Sequence, residues 1–99
     1  MSEPDWARTN FQSYAVLLTG DGAVAREHIM QQMLDAGVAT RRGIMTAHRE
    51  PAYVAMHGAQ SLPVTERASD RSLLLPLFPQ MTEGEQDQVV AALQRALGR

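Results

Sequence analysis

Residues 39–53 read ATRRGIMTAHREPAY, and the rest of the chain is arranged on either side of this stretch. It gathers Arg41, Arg42 and Arg49, His48 and Tyr53 into one short segment of an otherwise mixed sequence. The apolar step Gly37-Val38-Ala39 that leads into the arginine pair predicts a short strand ending in exposed guanidinium groups. A guanidinium is a planar fork that can hold a carboxylate or phosphate through two hydrogen bonds at once. The three arginines are therefore candidates for an anion site, against the plainer reading that each is a solvated surface cation.

Toward the N-terminus, residues 11–19 (FQSYAVLLT) are apolar and partly alternating, as in a buried strand of about six residues. Gly20-Asp21-Gly22 breaks that run. Between 23 and 36, Ala25, Ile29, Met30, Met33 and Leu34 share one stripe of a helix, with Arg26, Glu27, Gln31 and Asp35 opposite. Gly37 is placed to close the helix in a left-handed turn. Residues 1–10 are polar apart from Trp6 and read as a lead-in segment, leaving 11–99 as the folded domain.

Toward the C-terminus, residues 51–57 suit a short helical turn and 58–61 a loop. Leu62-Pro63 opens a second helix that runs to about residue 71, since proline is tolerated in a first turn. Residues 72–78 (SLLLPLF) read as a strand in which Pro76 cannot donate to a ladder, marking an edge position or the strand's end. Thr82 and Glu85 match a capping box. The final helix then runs to about residue 97, with Val89, Val90, Leu93, Ala96 and Leu97 as its inward stripe. The order strand, helix, strand, short helices, strand, helix predicts an α+β fold, a small three-stranded sheet with helices packed on it in two layers.

Composition narrows the chemistry. Ninety-nine residues make one domain. The net charge of −2 gives no general attraction to nucleic acid. No apolar run approaches the roughly 20 residues of a membrane span, so a cytoplasmic protein is expected. Cysteine is absent, which removes thiolate metal sites. All nine cations are arginine. Without a lysine side chain, no internal amine is available for a Schiff base.

Other motifs weigh less. The run Gly20 to Ala25 has the GxGxxA spacing of a dinucleotide-binding turn. However, the region about twenty residues on offers Thr40, Arg41 and Arg42 in place of an acid, and the unit is not repeated. A tight turn is the better reading. His28 reads as a surface residue, and His48 and His57 lack a third ligand at metal spacing. The six methionines read as core filler.

Four segments together resemble a known family: QSYAV at 12–16; GVATR at 37–41 with AHREPAY at 47–53; LPVTERA at 62–68; and LPLFP at 75–79 with TEGEQ at 82–86. In order and spacing they are similar to the C-terminal small domain of the fold-type-I, pyridoxal-phosphate-dependent sugar aminotransferases of the DegT/StrS class. The resemblance implies transfer of an amino group to a keto sugar carried on a nucleotide. It also implies that pyridoxal phosphate sits in a larger N-terminal domain, which supplies the Schiff-base lysine. By position, it makes Arg41 the arginine at the end of the family's GI-x-T/A-R strand, facing the donor carboxylate or a phosphate. His48 becomes the histidine before the x-x-P-x-Tyr segment, hydrogen-bonding substrate. Arg42 stands where proline is frequent and adds a cation to the substrate side, while Ile44 and Thr46 replace a frequent Tyr and Pro.

The expected partners are thus the N-terminal cofactor domain, a nucleotide-sugar and an amino donor, with self-association through apolar surface near Trp6, Phe11 or Met45. No cofactor is expected on this chain alone, and no catalysis by it alone. The alternative is a free-standing module, derived from such a domain, that binds a small anion or a protein partner.

Overall fold

The computed structural model describes residues 3–19 and 26–99. Its elements are β1 (Tyr14–Leu17), α1 (Arg26–Asp35), β2 (Arg41–Arg42), one tight helical turn (Ala47–Arg49), α2 (Pro51–His57), α3 (Pro63–Arg71), β3 (Ser72–Leu75) and α4 (Glu83–Ala96). This is the α+β order expected from the sequence, with β1 and β3 shorter than their apolar runs and β2 formed by the arginine pair itself and not by the apolar step before it. The GxGxxA turn and the expected start of the first helix lie outside the described residues.

The sheet is antiparallel with strand order β1-β3-β2. The last strand in sequence is therefore central, bonded to β1 through Tyr14↔Leu75 and Val16↔Leu73 and to β2 through Arg41↔Leu74 and Arg42↔Leu73. Directly opposed residues share a face, and successive residues alternate between faces. Val16, Leu73 and Arg42 therefore lie on one side, and Ala15, Leu74 and Arg41 on the other. Pro76 follows the last paired residue of β3, so of the two roles open to it, it marks the strand's end.

Only the Leu73 side is covered. Leu73 and Met33 are wholly inaccessible, and they form one core with Ile29, Val38, Val89, Ala92 and Ala96. Helices α1 and α4 pack against each other over this face, and Val16, Leu18, Leu75, Met81 and Leu93 fill its margin. On the opposite face Ala15 and Arg41 are exposed, and Leu17 is half exposed.

Several side chains depart from the expected stripes. Leu34, Val90 and Leu97 are exposed and Ala92 is buried instead, because α1 and α4 meet along a narrower seam than their apolar sequence allows. Arg26, expected on the polar face, is mostly covered: its Nη1 donates to the carbonyls of Ser69 (2.5 Å) and Ser72 (3.3 Å) where α3 turns into β3. Of the described methionines only Met33 belongs to the core, and Met45 and Met56 are more than three-quarters exposed.

Local chemistry sets the helix ends. Gly37 adopts φ +82°. Around it the Val38 amide donates to the Met33 carbonyl (2.8 Å) and the Gly37 amide to that of Leu34 (2.9 Å). This pair of bonds is the Schellman arrangement, whose left-handed residue strongly favours glycine. At α4 the Thr82 hydroxyl accepts from the Glu85 amide (3.2 Å), and Glu85 Oε2 accepts from the Thr82 amide (2.7 Å). At Gly43 a β-carbon would collide with the Ser72 hydroxyl, so the chain leaves β2 closely against β3.

Two substitutions measure these contributions. Leu73→Ala removes the inaccessible centre of the sheet and is expected to cost about 2–5 kcal/mol. Thr82→Ala removes the cap and is expected to cost about 1 kcal/mol. Urea unfolding of each variant against the parent reads both values, and a near-neutral Leu73→Ala would contradict the one-sided core.

Candidate functional site

The pair Arg41 and Arg42 is divided by the pleat. Arg42 lies on the helix-covered side, at the open edge of the sheet, where its Nη2 stands 3.5 Å from Glu27 Oε1 on α1. Both side chains are more than half exposed, so the pair contributes little to stability. They border a depression of about 270 Å³ that also takes in Gln31, Leu34 and Thr40. The Thr40 hydroxyl is buried beside it with no hydrogen-bond partner among the described residues. A backbone hydrogen bond and then the Arg26 guanidinium hold the Glu27 carboxyl below its ordinary range.

Arg41 lies on the other side of the sheet. It borders a depression of about 390 Å³ with Gln12, Ser13, Leu74, Pro76 and Phe78. Among the described residues Arg41 has no acidic or hydrogen-bonded partner. Its guanidinium is thus uncommitted beside a surface that offers an amide, a hydroxyl and apolar carbon. A bound carboxylate or phosphate would be its natural counter-ion.

His48 borders neither depression. Its ring is packed down to 9% accessibility, and its Nε2 lies 2.9 Å from Glu66 Oε1 on α3. The next residue, Arg49, grips Asp70 with both arms of its fork, at 2.6 and 3.1 Å, and reaches Glu66 Oε2 at 3.5 Å. Ser69 donates to the Ile44 carbonyl at 3.2 Å. The turn that carries His48 is thus stitched to α3 by polar contacts. The structure does not gather Arg41, Arg42 and His48 around one depression.

Glu66, Asp70 and Arg26 were not among the residues singled out in the sequence. Nothing local could have flagged the pairing of Asp70 with Arg49 or of Arg26 with the Ser69 carbonyl, which lie 21 and 43 residues apart. Among the described residues, no group of three or more His, Asp or Glu side chains is arranged to hold a metal ion, and no helix is long and apolar enough to cross a membrane.

The family model for DegT/DnrJ/EryC1/StrS aminotransferases matches residues 1–94. The chain belongs to this family. Among solved structures, the fold of this family member is similar to the aminotransferase TlmJ from Streptoalloteichus hindustanus, at a TM-score of 0.84 and 24% identity, over 99% of this chain and 25% of that one. It is also similar to the sugar aminotransferase CalS13 from Micromonospora echinospora, at a TM-score of 0.76 and 22% identity, over 95% of this chain and 24% of that one. The chain therefore spans about a quarter of the length of these aminotransferases. All nine cations of this chain are arginine, so no lysine side chain is present to form a Schiff base.

The stitching of the His48 turn has a definite pH signature. The Leu62 amide and then His48 hold the Glu66 carboxyl below its ordinary value of 4.5. Arg49 holds that of Asp70 below 3.8. Because both values are depressed in the folded state, their stabilisation is fully present above the ordinary values and is lost as pH falls through the folded ones. Arg49→Gln is expected to lower stability slightly at neutral pH and to flatten its decline in acid by the same small amount. Urea midpoints across the acid range read this, and equal acid slopes for parent and variant would rule it out.

Proposed function

We propose that this chain is the C-terminal small domain of a pyridoxal-phosphate-dependent aminotransferase acting on nucleotide-linked keto sugars, and that it lends side chains to the substrate pocket without holding the cofactor. The observation that carries this is the match of nearly the whole chain to about a quarter of two aminotransferases, one of them described as a sugar aminotransferase, in a chain without lysine. The rest of such an enzyme would supply the cofactor-binding lysine, and alone the chain would be inactive. Residues 11–99 are the domain proper and 1–10 its lead-in.

Large apolar side chains at the surface support a partner-covered domain. Trp6 is 87% and Ile44 88% exposed, and Phe11 and Met45 are also mostly in water. Isolated apolar groups are common on surfaces, but so many large ones on a small domain favour burial in a larger assembly. Within that assembly Arg41 would receive the donor carboxylate or a substrate phosphate. His48 would hydrogen-bond substrate, and Arg42 would add positive charge once drawn from Glu27.

The uncommitted Arg41 guanidinium also favours a second reading, a free-standing small-anion-binding module. Activity separates the two. In the enzyme that carries this domain, Arg41→Ala is expected to raise KM for the anionic substrate roughly ten- to hundredfold, the scale of one charged hydrogen bond. Arg42→Ala should change it less, since Glu27 already offsets that charge. Borohydride reduction of the 99-residue chain mixed with pyridoxal phosphate should leave every internal peptide unlabelled by mass spectrometry. An internal adduct would overturn the assignment of the cofactor to another domain.

A further inference from the structure

The contacts of Glu66 fix more than the position of the turn beside it. Its Oε1 accepts from the Leu62 amide at 3.0 Å and faces His48 Nε2 at 2.9 Å, while Arg49 approaches Oε2. A backbone N–H and a guanidinium can only donate, so these neighbours all favour the ionised carboxylate, which can only accept. The depressed titration of Glu66 agrees with this. The His48 nitrogen that faces it must therefore carry the hydrogen. A neutral imidazole has one N–H, so the other nitrogen, Nδ1, is left with a lone pair.

That lone pair is left unused within the described residues. His48 Nδ1 has no partner among the described residues, and the buried unpartnered side-chain atoms there are Arg26 Nε and Thr40 Oγ1. No group among the described residues uses that lone pair, although most of the ring is covered. An imidazole held this way accepts a hydrogen bond in a fixed direction. It suits a hydroxyl or amino group and not a phosphate or carboxylate oxygen, which has no hydrogen to give.

We propose that Glu66 is a positioning residue that holds His48 as its Nε2–H tautomer and so presents Nδ1 as an acceptor for a hydroxyl or amine of the ligand. This rests on the reading that His48 meets substrate, and it divides the labour between two side chains: Arg41 takes an anion and His48 takes a donor. Arg49, clamped to Asp70, steadies the turn from the adjoining position.

The first arm of the test is nitrogen-15 NMR of the 99-residue chain, at a pH where the imidazole of His48 is shown by its own titration to be neutral. The expected spectrum has the proton on Nε2, with a water-protected N–H signal. Glu66→Ala should lose that protection and populate both tautomers, and Glu66→Gln should give an intermediate mixture if the alanine variant folds poorly. A proton on Nδ1 in the parent, or an unchanged Nε2–H signal in both variants, overturns the proposal.

The second arm is a double-mutant cycle in the enzyme that carries this domain. Glu66→Ala and His48→Ala should each raise KM for the sugar substrate by about tenfold, and together by no more than either alone. Independent, multiplying effects overturn the positioning role. If His48→Ala leaves KM unchanged, the reading that His48 meets substrate fails, while the NMR arm still decides the tautomer.

Discussion

Leu73 sits at the centre of the middle strand with no accessible surface, opposite Val16 on one side and Arg42 on the other. Burying that side chain is possible only because α1 and α4 close over the same face, and the seven apolar residues buried among those described then form a single cluster. The core is accordingly one-sided, and the opposite face carries Arg41 and half-exposed leucine into solvent. That asymmetry governs the molecule: one face holds the fold, and the other is available to something outside it.

The second half of the domain is held differently. The turn at Ala47–Arg49, α2 and α3 contain no buried residue. The turn is tied to α3 by Glu66, Asp70 and Ser69, and α3 to α1 by Arg26, through directional and partly charged hydrogen bonds. Such contacts fix geometry more than they add stability, since exposed ion pairs are screened by water. Around His48 geometry matters most, because the direction of a lone pair depends on which nitrogen carries the proton.

Membership of the DegT/DnrJ/EryC1/StrS aminotransferase family fits this division of labour. The chain spans about a quarter of its structural relatives and has no lysine side chain to form a Schiff base. Among the described residues Arg41 has no partner, and His48 is held against Glu66. Those two groups lie in different surroundings, so any pocket that uses both must be completed from elsewhere.

Local signals made much of this legible in the sequence. The capping box at Thr82 and Glu85, the turn at Gly37, the 51–57 helix and the order of elements all depend on neighbours within a few residues. The absence of lysine is a property of composition, and no fold can change it. Only the tertiary structure decided that the last strand is central, that Leu34, Val90 and Leu97 face water while Ala92 does not, and that Arg41 and Arg42 part to opposite faces. It alone revealed that Glu66 and Asp70 seize the turn carrying His48 and Arg49. These outcomes rest on contacts between residues far apart in the chain, and one sequence records which groups exist but not which of them meet.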